Sequence, residues 1–159
     1  MIILKIALII SFLTVFWQDV KSREVYWFLL PFIGVCCGLL YYFNTLPELF
    51  IMSFFMNLIF IFILLFVIYL YSRYKLKSSF KLTMGSGDVL LFFALCFSFS
   101  SVSFITCFVL SLCFSLILHL IPKKSDINKS VPLAGYMSLF FAFTYLGYWT
   151  GLINSLYLI

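Results

Sequence analysis

Five residues in this chain of 159 carry acidic side chains: Asp19, Glu24, Glu48, Asp88 and Asp126. Three have plain surroundings. Asp126 lies among Lys123, Lys124 and Lys129, where a solvated ion pair is expected. Glu24 follows Lys21 and Arg23 and is expected to pair with one of them. Glu48 falls in a loop between apolar runs. Asp19 and Asp88 differ, because each stands at the edge of an apolar segment. In a membrane domain an ionisable side chain is costly and is a functional candidate by default. Taken alone, Asp88 reads as a helix cap. Met84-Gly85-Ser86-Gly87-Asp88-Val89 precedes an apolar run, and a carboxylate there accepts orphan N–H groups. Taken alone, Asp19 reads as an interfacial charge that ends a span. The two at one depth say more than either does singly. Two close carboxylates share one proton, since both cannot comfortably ionise. One then acts as a base on water and the other donates to a substrate carbonyl. That is aspartic protease chemistry, with no covalent intermediate, no metal and no cofactor.

Other chemistries have fewer residues to stand on. Cys36, Cys37, Cys96, Cys107 and Cys113 all fall within apolar runs and form no Cys-x-x-Cys pair, so a thiolate zinc site is not indicated. They read as small residues facing lipid or protein. The lone His119 reads as an interfacial residue rather than a base. No Ser/His/Asp arrangement is evident.

The elements that must position the two aspartates are membrane helices. The chain is 65% hydrophobic and 9% charged, with 22 Phe. An ordinary soluble domain is about 45–50% apolar and roughly 25% charged. A soluble fold of this size lacks the polar residues to cover its exterior. The expected class is an all-α, polytopic membrane bundle of about six helices, forming a single membrane-embedded domain over residues 1–159. A span needs about 20 residues, so six use roughly 120 and leave about 39 for loops and termini. The apolar segments run over about 2–18, 25–43, 50–71, 88–99, 102–121 and 133–157. The fourth is short. Ser98, Ser100, Ser101 and Ser103 mark a tight turn after it, and so short a helix must pack inside the protein.

The net charge of +5 does not point to nucleic acid, because in a membrane protein the placement of charge matters more than its sum. Lys21 and Arg23 follow the first span; Arg73, Lys75, Lys77 and Lys81 follow the third; Lys123, Lys124 and Lys129 follow the fifth. The loops after the second and fourth have no basic residue. Positive charge is retained in the cytoplasm, so both termini are expected outside and both aspartates at the cytoplasmic face of the inner membrane. Only Lys5 disagrees. No cleavage site follows the first segment, which reads as a retained span rather than a signal peptide.

Gly85-Ser86-Gly87-Asp88 at the start of a membrane helix resembles the motif of the GxGD intramembrane aspartic proteases. Gln18-Asp19-Val20-Lys21-Ser22-Arg23-Glu24-Val25 narrows the likeness, since it resembles the Asp-x-x-x-Arg-x-Ile-Pro-Asn stretch of the type IV prepilin peptidases. Lys129-Ser130-Val131-Pro132-Leu133-Ala134 is similar to that family's basic residue followed by Ile-Pro-Phe-Gly/Ala. The three motifs come in the family's order and together cover only a small part of the chain. The resemblance implies an endopeptidase that removes the short basic leader of prepilin-like precursors at the cytoplasmic membrane face. It makes Asp19 and Asp88 the catalytic pair. Gly85 and Gly87 would let the backbone approach the extended substrate, lacking a Cβ as they do. Pro132 and its neighbours would shape the entry to the last span. Tyr26-Trp27 stand where the family has Pro-Asn, and Leu90 stands where Lys commonly follows the second motif. These differences bear on substrate preference rather than on chemistry. The amino-terminal domain with paired Cys-x-x-Cys motifs is missing from this sequence, so a minimal, peptidase-only form is expected.

Two other classes fit the bare composition. A small transporter or channel subunit would use Asp19 and Asp88 as ion or proton sites, and would show carboxylate-dependent flux; both acids lie at the membrane edge, which argues against it. A non-catalytic scaffold would tolerate Asn at both positions. The basic loops are accounted for by orientation and by attraction to anionic lipid. They would repel a basic leader, so recognition is expected to involve the apolar segment behind it.

Overall fold

A computed structural model describes residues 1–76, 84–120, 132–153 and 156–157. Among the described residues six α-helices follow one another: α1 (Ile2–Ser22), α2 (Leu29–Asn44), α3 (Pro47–Tyr71), α4 (Ser86–Leu95), α5 (Ser101–Leu120) and α6 (Leu133–Trp149). A short π-helical turn, Ser72–Leu76, extends α3. No strand occurs among the described residues. The all-α membrane bundle is thus the architecture observed. Among the described residues three stretches are long and apolar enough to cross a membrane: Ile2–Ser22, Pro47–Lys75 and Ser101–Leu120. α4, with 10 residues, is only about 15 Å long and cannot cross a hydrocarbon core of about 30 Å.

The helices assemble around α6, which packs against α1 on one side and α5 on the other, while α2 packs against both α1 and α4. On α1 the buried residues are Leu8, Ser11, Phe12, Val15 and Asp19. That spacing is one face of a helix with 3.6 residues per turn, so a single buried stripe carries the carboxylate as its last member. α1 runs to Ser22, which puts Asp19 within the last turn of the helix rather than just beyond it. The stripe meets α6 through aromatic pairs. Phe12 stacks on Phe141 with ring centroids 6.3 Å apart and lies 6.1 Å from the Tyr145 ring.

α4 is drawn in by small residues. A Cβ on Gly34 of α2 would lie 3.3 Å from the Cα of Ala94. Gly38, one turn on, faces the Cβ of Phe97 in the same way, at 3.5 Å. Such small faces let membrane helices approach closely without a hydrophobic driving force.

The serine-rich stretch after α4 is the expected tight turn, and α3 pins it. Asn57 is fully buried, and its Nδ2 donates to the carbonyls of Cys96 at 3.1 Å and Phe99 at 3.0 Å. Ser98 Oγ donates to the Leu95 carbonyl at 2.6 Å. An Asn57→Leu substitution leaves two buried carbonyls without that donor. It should lower stability by about 1–3 kcal/mol, read as an earlier denaturant midpoint in detergent.

The last apolar segment departs from expectation. The helix stops at Trp149, not near 157. Gly151 takes φ +80°. Its N–H donates to the Tyr148 carbonyl, and the N–H of Leu152 donates to that of Gly147. This is a Schellman ending, which needs the left-handed backbone that glycine adopts freely. Beyond it, Tyr157 stacks on Tyr41 at 5.2 Å inside the core.

Candidate active site

Three helix ends meet at one place. The first N–H groups of a helix have no partner within it, and its N-terminus carries partial positive charge. α6 begins after Pro132, so Ala134 and Gly135 present such groups. The N–H of Ala134 donates to Asp88 Oδ1 at 2.9 Å. The N–H of Gly135 donates to Asp19 Oδ2 at 2.5 Å. Neighbouring amides of a third helix therefore hold one oxygen of each carboxylate. Consecutive helical nitrogens are separated by about 3 Å, so the two bound oxygens lie within about 8 Å of one another. Asp88 has a second backbone partner in Gly85, the residue before α4. Its role extends beyond capping its own helix, since its carboxylate ties α4 to α6. Asp19 is 8% exposed and Asp88 is half-buried.

Glycines make the approach possible. A Cβ on Gly135 would lie 3.0 Å from both Cβ and Oδ2 of Asp19, and 3.4 Å from the main-chain oxygen of Phe16. A Cβ on Gly85 would lie 3.2 Å from Asp88 Oδ2. At Gly87 nothing comes within 4 Å of the same point. Gly85 thus makes room for the carboxylate, and Gly87 faces open space. Both line a polar cavity of about 470 Å³ with Asp19, Asp88, Arg23 and Glu24. Arg23 ends α1 in the left-handed conformation, φ 59°, and acts electrostatically on Asp19.

The other residues read for chemistry lie elsewhere. His119 is exposed near the end of α5. Cys36, Cys37 and Cys96 are buried, Cys107 is half-buried and Cys113 is exposed; all are free thiols. Among the described residues no group of three or more His, Cys, Asp and Glu side chains could hold a metal ion. Lys77, Lys81, Lys123, Lys124, Asp126 and Lys129 fall outside the described residues, as do Ser130 and Val131 of the third motif. Gly135 escaped the sequence reading, as did the role of the α6 amides. The available signal was a pair of small residues, Ala134-Gly135, in the first turn of a helix that begins after Pro132.

Residues 6–120 match the type IV leader peptidase family. No curated protein and no solved structure matches the chain. The matched stretch contains both aspartates and the whole of α2 to α5, and the apolar helices fit the inner-membrane setting of such an enzyme. It spans more than two thirds of the sequence, and on that ground the chain belongs to the type IV leader peptidase family and is a peptidase.

Proposed function

We propose that the protein is an aspartic endopeptidase that removes the basic leader of prepilin-like precursors at the cytoplasmic face of the inner membrane, with Asp19 and Asp88 as its catalytic pair. One observation carries this reading: adjacent amides, Ala134 and Gly135, hold one carboxylate each over a common polar cavity. Each carboxylate gives one oxygen to the clamp and keeps another for the reaction. The pair shares a proton. The ionised member takes a proton from water, whose oxygen attacks the scissile carbonyl carbon. The protonated member donates to the carbonyl oxygen. The resulting gem-diol collapses as its nitrogen is protonated and the C–N bond breaks, leaving a new carboxyl and a new amine. The aspartates return to sharing one proton, and no metal or cofactor enters. Gly87, with open space where a side chain would be, suits an extended substrate backbone lying along the cavity, and Gly85 stands beside it. The placement of Lys21, Arg23, Arg73 and Lys75 supports a cytoplasmic orientation for this end of the bundle, with both termini outside.

The test is cleavage of a leader-bearing precursor by the protein in liposomes. Mass spectrometry should find one cut behind the leader. Reagents that acylate serine or alkylate cysteine should leave the rate unchanged, because no covalent intermediate forms. Abolition of cleavage by a serine-directed acylating reagent would overturn the mechanism.

A further inference from the structure

A second cavity, of about 580 Å³, meets the catalytic one at Asp88. Its walls are apolar and come from α3 (Leu64), α4 (Phe92) and α5 (Leu112, Leu116), with one hydroxyl among them, that of Ser115. Ser115 is 1% exposed, and among the described residues its Oγ has no hydrogen-bond partner. Three other buried helical serines satisfy themselves within their own helix, Ser11 donating to Ala7, Ser111 to Phe108 and Ser138 to Gly135, and a fourth, Ser53, accepts from the Tyr41 hydroxyl at 3.0 Å. Ser115 sits in the same kind of helix, one turn after Ser111, without such a bond. An unpaired buried hydroxyl costs about 1–3 kcal/mol, so the wall is incomplete until something supplies a partner.

The substrate has a matching need. Hydrolysis requires an extended peptide at Asp88, so the apolar segment behind the leader must unwind there. Unwinding frees backbone carbonyls in surroundings without water, where each seeks a donor. We propose that this cavity receives the unwound main chain of the precursor on the carboxyl side of the scissile bond, and that Ser115 Oγ donates to one of its carbonyls. The inference rests on the two-aspartate reading. It places the leader in the polar cavity and the apolar segment in the apolar one, which fixes the direction of the substrate across Asp88. It makes Ser115 a substrate-binding residue.

The test uses the sign of two effects. Removing an unpartnered hydroxyl should leave the free protein as stable or more stable. Ser115→Ala should therefore keep or raise the thermal midpoint in detergent, yet lower kcat/KM for the precursor by about three- to tenfold, the worth of one neutral hydrogen bond. A purely structural serine would move both in the same direction. As an independent readout, the thiol of a Ser115→Cys variant should be alkylated more slowly as precursor saturates the protein, followed at that peptide by mass spectrometry. Unchanged kcat/KM in Ser115→Ala, or alkylation indifferent to precursor, overturns the proposal. Failure of the two-aspartate reading is a separate result, namely cleavage that survives Asp88→Asn.

Discussion

Asp19→Asn and Asp88→Asn should each slow precursor cleavage by at least about 10³-fold while leaving the bundle folded. Positioned proton transfer contributes roughly 10²–10⁴ in rate, and an amide neither takes a proton from water nor delivers one to a carbonyl. The geometry separates this loss from unfolding. Asp19 and Asp88 each accept a backbone N–H from α6. The carbonyl oxygen of Asn accepts the same bond, so the joint between the three helix ends survives and the thermal midpoint should shift little. The double variant should be scarcely worse than either single one, since groups that act as a unit lose their function together. The measurement is kcat/KM in liposomes beside a melting curve for each variant. Full processing by either single variant ends the proposal. The same vesicles address the rival class: carboxylate-dependent ion flux with cleavage intact would make these side chains transport sites.

The sequence showed the aspartates more clearly than what holds them. Leu8, Phe12, Val15 and Asp19 recur at helical spacing, so an acid at the end of an apolar stripe is legible in the sequence itself. Gly85-Ser86-Gly87-Asp88 likewise announced a helix start, and the serines after α4 announced its turn. The joint between the two sites was hidden because it is tertiary. Backbone amides do the holding, and every residue has one, so side-chain pattern is silent about which pair is used. Gly135 was missed for the same reason. Its need for a bare Cα comes from Asp19, far away in the chain, and not from any local turn. Two other features were legible and overlooked. Asn57 is a polar residue deep in an apolar run, where an unpaired amide is costly, so a cross-helix partner could have been inferred. Gly151 sits just past the last helix, as a helix-ending glycine should; the apolar tail after it, with Leu156 and Tyr157, disguised the stop by continuing the hydrophobic signal into the core.

Gly135→Ala is the sharpest test of the clamp, because ordinary helix energetics predict the opposite sign. Within a helix, alanine is favoured over glycine by up to about 1 kcal/mol. Here the added methyl would lie 3.0 Å from two atoms of Asp19 and 3.4 Å from the main-chain oxygen of Phe16. Asp19 can withdraw only by leaving the Gly135 N–H, which strands a buried carboxylate with one partner fewer. The Phe16 oxygen belongs to α1 itself and moves only if the helix does. Either response displaces one carboxylate from the other, and a misplacement of about 1 Å can cost on the order of 10²-fold in rate. Cleavage should therefore fall by about that factor, and the melting midpoint should fall with it. Gly147→Ala is the matched control in the same helix: the nearest atom to its new methyl, at 3.1 Å, is the tip of the Ile153 side chain, which can swing aside. That variant should melt and cleave close to wild type. Should Gly135→Ala cleave as well as Gly147→Ala, the α6 amides are not what places Asp19, and the convergence of the two acids must depend on α1 and α4 alone.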